Sequence, residues 1–224
     1  MNLEELFEYE FKGRPMIRKD IMQATSKLYR AYADGLNSWS GITIKLLNEL
    51  EDLLLRRGWK MVGGGAFSDT WLHPKGELIL KINRRSDPAY DRFIDVIQKY
   101  PNPHFPKIMD AKQIIGGRWP YGIYLIEKLE KLSMDKKYIF SQALHNIAIH
   151  PDMTRNQLSE QTNDTYTDYE NLKFQECMKT MPDSLMEAMR IIGRNCPVKS
   201  YFDLHPGNIM QREDGTIVII DPYA

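Results

Sequence analysis

Cysteine is scarce in this sequence: Cys177 and Cys196 are the only two in 224 residues. Two thiols build neither a disulfide framework nor a thiolate cage for a metal, and such usage fits a reducing cytoplasm. A dominant charge is also missing. Thirty basic residues face thirty acidic ones, so no net field draws the chain towards nucleic acid or a membrane surface. No apolar run approaches a membrane span, and the first ten residues carry four glutamates, which argues against a signal peptide. The sequence therefore predicts a cytoplasmic globular protein, with neither nucleic acid nor membrane as partner. Its 42% hydrophobic content is enough for a sizeable core.

Residues 2–57 read as helical. Leu46, Leu47, Leu50, Leu53 and Leu54 share one face of a helix ahead of Gly58, and Ile17, Ile21, Met22, Leu28, Tyr29 and Tyr32 suggest an earlier one. The pattern changes at Trp59. Trp59-Lys60-Met61-Val62, then Gly63-Gly64-Gly65-Ala66-Phe67-Ser68, then Asp69 to Leu72 predicts strand, glycine turn, strand. Glycines there let backbone approach a ligand where a side chain would intrude. The next apolar run, Glu77-Leu78-Ile79-Leu80-Lys81-Ile82, embeds one lysine, a residue rarely buried without a partner.

Ser86-Asp87-Pro88 starts a predicted helix that ends before Pro101, with Tyr90, Phe93, Ile94 and Ile97 as its apolar face. Phe105 to Met109 and Gly122 to Ile126 read as two strands around the Gly116-Gly117 turn. Helices are expected over 134–149, 165–181 and 184–194, with the polar stretch 151–163 as a surface loop. Ser184 and Glu187 have capping-box spacing, and Gly193 reads as the stop of the last helix. His145 and His150 flank no carboxylate cluster and read as ordinary helix or loop residues.

Chemistry concentrates in Tyr201-Phe202-Asp203-Leu204-His205-Pro206-Gly207-Asn208 and the later Asp221-Pro222. Asp203 and Asn208 share a Pro-Gly loop, and Asp221 follows two apolar runs joined by Glu213-Asp214-Gly215. That is a hairpin with oxygen groups at both ends. Phosphoryl transfer needs a carboxylate to position or deprotonate the acceptor hydroxyl, and hard oxygen ligands for magnesium.

In order, the glycine hairpin, Lys81, the run Tyr124-Leu125-Ile126-Glu127, Asp203 to Asn208 and Asp221 resemble the protein-kinase-like fold. More narrowly, Gly58-Trp59-Lys60-Met61, Ala66-Phe67-Ser68, His73-Pro74, Gly207-Asn208-Ile209-Met210 and Asp221-Pro222 are similar to the early host-shutoff serine/threonine kinases of T-seven-like bacteriophages. The resemblance implies an α+β, minimal bilobal fold. Its parts would be an N-terminal helical extension over 1–57, an antiparallel sheet lobe over 58–130 and a reduced helical lobe over 131–224. It implies ATP and magnesium as cofactors, host proteins as substrates and the host bacterial cytoplasm as location. Asp203 would orient or deprotonate the hydroxyl, Asn208 and Asp221 would hold magnesium, and Lys81 would grip the phosphates. Gly63, Gly64, Gly65, Ala66, Phe67 and Ser68 would cover the nucleotide, while Glu127 and Leu129 would offer hinge backbone to adenine. Asp91 or Asp95 would pair with Lys81, and Ser68 is a candidate for autophosphorylation.

Departures from the pattern sharpen these expectations. Tyr201-Phe202 replaces the usual His-Arg, Ser68 stands at the third glycine, and Pro222 follows the metal-binding aspartate in place of Phe-Gly. With Ala224 as its last residue, the sequence is expected to lack an activation segment. The Asp203 to Asn208 loop, with His205 where protein kinases have lysine, also resembles aminoglycoside and choline phosphotransferases, so a small-molecule kinase is one alternative. A non-catalytic module that binds a host protein is another, though binding alone does not require Lys81, Asp203, Asn208 and Asp221 together.

Overall fold

A computed structural model describes residues 10–11, 14–36, 40–65, 67–116, 119–132, 137–160, 167–197 and 201–224. In chain order its elements are β1 (Glu10–Phe11), β2 (Arg14–Pro15), α1 (Lys19–Ala33), α2 (Gly41–Arg56), β3 (Lys60–Gly64), β4 (Ser68–Leu72) and β5 (Leu78–Asn83). Then come α3 (Pro88–Lys99), β6 (Ile108–Gly116), β7 (Trp119–Glu127), β8 (Glu130–Lys131), α4 (Lys137–Ile149), α5 (Arg155–Ser159) and α6 (Asp168–Thr180). The last are α7 (Asp183–Arg194), a single 3-10 turn (Pro206–Asn208), β9 (Ile209–Gln211) and β10 (Ile217–Ile219). No helix among the described residues is long and apolar enough to cross a membrane.

Two compact units form, one from Met1–Pro88 with Lys107–Lys128 and one from Ala89–Pro106 with Leu129–Ala224. The divisions fall near 88, 106 and 128. Helices α1 and α2 share a unit with the sheet, while α3 belongs with the later helices. The chain is α+β. In order it carries a glycine hairpin, a lysine strand, a helix, two more strands, helices and the Asp203 loop with its hairpin.

The first unit is a five-stranded antiparallel sheet in the order β3-β4-β5-β7-β6. Strand β5 is central, and the apolar Leu80 and Ile82 join Trp59, Trp71, Ile123 and Leu125 in the core. Helix α1 presents Ile21, Leu28 and Tyr29 to that core, and α2 presents Leu50 and Leu54. These contributions follow the spacing of one helical face. The Tyr29 hydroxyl donates to the Gly122 carbonyl of β7 at 2.9 Å, and its ring stacks on Tyr121 at 4.8 Å. Ser40 caps α2, its Oγ accepting from the Thr43 N–H at 3.1 Å. Gly58 ends that helix at φ +80°, and a Cβ there would sit 3.3 Å from Pro74. Among the described residues the reading of 2–57 as helical is corrected at Glu10–Phe11 and Arg14–Pro15, where β1 and β2 pair, and its part over 2–9 lies outside the described residues. Extended backbone there follows from Pro15, which restricts the residue before it.

In the second unit α7 buries Leu185, Met186, Met189 and Ile192, while α4 buries Leu144, Ile147 and Ala148. Phe93 of α3 meets Phe105 and Tyr223 edge-on at 6.2 and 6.3 Å. Several expected boundaries shift here. Gly193 lies inside α7, which runs on to Arg194, and a Cβ on it would come within 2.2 Å of the Ala148 carbonyl oxygen. Its role is close helix approach, not termination. Ser184 is no cap: the N-cap of α7 is Pro182, with no side-chain bond. The stretch 151–163 contains α5, whose Thr154 and Gln157 form a complete capping box. The first strand after α3 begins at Ile108, because Phe105 is taken into the core from a turn, 3% exposed.

Candidate active site

The loop after α7 is fixed at both ends by backbone bonds. Tyr201 and Ala224 exchange N–H to carbonyl bonds at 3.1 and 3.0 Å, and Phe202 bridges Tyr223. The Asp203 N–H donates to the Pro222 carbonyl at 2.9 Å, and the Ile220 N–H donates to the Asn208 carbonyl at 3.0 Å. Asp221 is thereby held from both sides, residue 220 on Asn208 and residue 222 on Asp203. The hairpin that delivers Asp221 is β9–β10, with Ile219 opposite Ile209 and Val218 opposite Met210. Val218, Ile219 and Ile209 are buried, so apolar packing sets its register.

Within the loop, Asn208 Nδ2 donates to the Asp203 carbonyl at 2.8 Å and to its carboxylate Oδ2 at 3.2 Å. His205 caps the 3-10 turn, its Nδ1 accepting from the Gly207 N–H at 2.9 Å. That bond directs Nε2 towards Asp203 Oδ2, 3.8 Å away. The Ser141 hydroxyl of α4 donates to the Leu204 carbonyl from a buried position. Nothing in the sequence distinguishes Ser141 from any helical serine, and sequence reasoning missed it.

The donor set suits a hard cation. With its amide nitrogen committed to Asp203, Asn208 has its carbonyl oxygen left for a ligand, and Asp203 and Asp221 supply carboxylates. No cluster of three or more His, Cys, Asp or Glu side chains able to hold a metal occurs among the described residues. Magnesium is commonly held by one or two carboxylates together with substrate phosphates, so this sparse set fits it when nucleotide completes the shell.

In the sheet unit, Lys81 faces Thr70 on β4 and Tyr124 on β7 and is 7% exposed. The glycine turn is tighter than its sequence suggests. Gly63 and Gly64 pair with Thr70 and Asp69, with a bulge after Met61, and the Gly65 N–H donates to the Ser68 carbonyl at 2.8 Å. A Cβ on Gly63 would lie 2.9 Å from Thr70 Oγ1, and one on Gly64 would lie 3.0 Å from Asp69 Oδ1. The glycines thus admit side chains of the facing strand. Ser68 belongs to β4 opposite Asn83 and is 9% exposed, so it is a buried strand residue rather than part of the turn. Ala66 lies outside the described residues.

Arg84 holds this turn and was not singled out by sequence. Its N–H donates to the Phe67 carbonyl at 2.7 Å, its guanidinium to the Gly65 carbonyl at 2.5 Å, and its Nε pairs with Asp69 at 3.1 Å. Burial raises the Asp69 carboxyl above its usual range, partly offset by Arg84. At the other end of the sheet, the Glu127 N–H goes to the Lys107 carbonyl at 3.1 Å and the Lys128 N–H to the Glu77 carbonyl at 3.0 Å. Both N–H groups are thus engaged within the sheet unit. Of the two carboxylates considered for Lys81, Asp91 is on the buried face of α3, 6% exposed, and Asp95 is on its exposed face.

No family model matches the sequence, and no curated protein matches it. Among solved structures the chain is similar to the streptomycin-ATP-APH(2")-IIa ternary complex, at 13% identity and a TM-score of 0.34, covering 77% of this chain and 69% of that one.

Proposed function

We propose that the chain is an ATP- and magnesium-dependent phosphotransferase acting on serine or threonine hydroxyls of host proteins, in the manner of the phage kinases that its motifs resemble. The observation that carries this reading is the pair of bonds bracketing Asp221, Asp203 N–H to Pro222 and Ile220 N–H to Asn208. They gather two carboxylates and one amide oxygen into a single backbone frame. Such fixed polar groups contribute to transfer mainly by positioning and electrostatics.

The acceptor hydroxyl gives its proton to Asp203, whose carboxylate is oriented by the Asn208 amide. Asn208 Oδ1 and Asp221 would hold magnesium, which neutralises charge on the phosphates. Lys81 would grip the phosphates, and the Arg84 guanidinium holds the glycine turn through the Gly65 carbonyl and Asp69. The substrate would be met in the host bacterial cytoplasm. A second reading, a small-molecule phosphotransferase, is favoured by His205, which stands 3.8 Å from Asp203 at the loop position where those enzymes carry histidine.

Incubating the protein with labelled ATP and magnesium in bacterial lysate tests both. Labelled protein bands that vanish in Asp203→Ala and Asp221→Ala support the first reading. Label confined to small molecules selects the second, and no transfer by the wild type removes both.

A further inference from the structure

Ser184 and His104 lie outside the site above, and their pairing has the geometry of an activated hydroxyl. Ser184 is exposed in the first turn of α7, and its Oγ is 2.9 Å from Nε2 of His104. Nδ1 of the same ring is 2.7 Å from the Ile217 carbonyl oxygen. A carbonyl only accepts, so the ring proton belongs on Nδ1, and Nε2 is left to accept the serine proton. The ring is 6% exposed and held in place, since its backbone N–H donates to Asn102 Oδ1 at 2.9 Å. Asn102 Nδ2 in turn donates to the Ser184 carbonyl at 3.0 Å. Burial, assisted by Arg212, holds the imidazole below the usual histidine range, which keeps it in the neutral form a base requires. Nucleophile, base and orienting acceptor at these separations are the signature of an activated nucleophile.

The surroundings also suit an added anion. The first N–H groups of a helix have no partner within it and favour negative charge. The guanidinium of Arg155 is engaged by Asp183 Oδ1 at 2.5 Å and by the Met178 carbonyl, so the anion would rest on the helix end alone. Ser68, in contrast, lies in the β4 ladder at 9% exposure.

We propose that Ser184 is a nucleophilic hydroxyl that accepts a phosphoryl group, with His104 as its base. For its donor this rests on the phosphotransferase reading given above. The Ser184 Oγ to Pγ bond forms as the bond from Pγ to the bridging oxygen breaks. The nucleoside diphosphate leaves with the electron pair, and the serine proton passes to His104 Nε2 and on to solvent.

The test uses the full chain with two reagents in parallel: magnesium with ATP in bacterial lysate, and a fluorophosphonate without nucleotide. Tryptic peptide 180–190 contains Thr180 and Ser184 as its only hydroxyl residues. Expected are phosphate on Ser184 in the first and an adduct on Ser184 in the second. The adduct should form about a hundredfold faster than with a blocked free serine at pH 7, and both modifications should be lost in Ser184→Ala. Labelled lysate proteins with peptide 180–190 unmodified by either reagent overturn the proposal and leave the kinase reading intact. A fluorophosphonate adduct on Ser184 with no phosphate transferred to anything supports the nucleophile and overturns the kinase reading. An adduct rate equal to that of free serine overturns the role of His104.

Discussion

Asn208 binds Asp203 through a single nitrogen, donating to its carbonyl oxygen at 2.8 Å and its carboxylate at 3.2 Å. One amide therefore fixes both the backbone and the side chain of the proposed base. Asn208→Ala is expected to lower transfer by roughly a hundredfold. The lost hydrogen bonds should cost about 1–2 kcal/mol of stability, so melting falls by only a few degrees. Asn208→Asp separates the effects further. An aspartate there donates no hydrogen bond and sets a like charge beside Asp203, so transfer should fall at least as far as in Asn208→Ala. Transfer equal to wild type in both variants would show that the pairing does not govern Asp203.

Arg84 shapes the glycine turn through its guanidinium, which donates to the Gly65 carbonyl and pairs with Asp69. Its removal in Arg84→Ala should loosen the turn without touching the Asp203 loop. The expected result is an ATP KM about tenfold higher with kcat nearly unchanged, the pattern of lost ground-state binding. Arg84→Lys should recover only part of it, since lysine lacks the planar fork that reaches two acceptors. Steady-state kinetics with ATP as the varied substrate decide the matter, and a fall in kcat alone would contradict it.

Gly193 offers a test in which helix propensity and packing oppose each other. Alanine inside a helix is favoured over glycine by about 1 kcal/mol, yet a Cβ at 193 would meet the Ala148 carbonyl at 2.2 Å. Backbone on both sides cannot yield cheaply, so Gly193→Ala should destabilise by about 1–3 kcal/mol net. Urea unfolding with an unchanged slope gives the number, and a stabilised variant would place α4 and α7 farther apart.

Stability should fall as the medium turns mildly acidic. Desolvation lowers the pKa of His73, His104 and His145 below the ordinary value of 6.5, with Lys75 adding to the effect at His73 and Arg212 at His104. The unfolded chain then takes up protons near pH 6.5 that the folded chain refuses, so stability is full above that pH and declines as pH drops towards the folded values. Melting temperatures measured from pH 7.5 to 5.5 should decrease steadily. A flat profile would mean these rings are solvated.

Much of this was legible in sequence, because strong local signals and functional spacing coincide. The glycine hairpin, Lys81 on β5, and the Asp203, Asn208 and Asp221 loop all appear on the expected elements. Long-range pairings were not legible. Ser184 stands three before Glu187, the spacing of a cap, but its hydroxyl goes to His104 across 80 positions, and Glu187 lies 3.8 Å from Arg190 and Arg194 instead. Gly193 looks like a helix stop because a close-approach glycine and a terminating one have the same local context. Arg84 sits in a polar stretch after β5, and only the fold turns its guanidinium back over the hairpin. The partner of the Glu127 N–H is set in the same way by Lys107, a residue twenty positions away in the sequence.

The division into two units separates the chain's chromophores as well. All four tryptophans, Trp39, Trp59, Trp71 and Trp119, fall within Met1–Pro88 and Lys107–Lys128, and the other unit has none. Intrinsic tryptophan fluorescence therefore watches the sheet unit alone, while far-ultraviolet dichroism is weighted towards the helices of its neighbour. Superimposed melting curves from the two signals would mean that the units unfold as one cooperative body, and displaced curves would assign each transition to its own half.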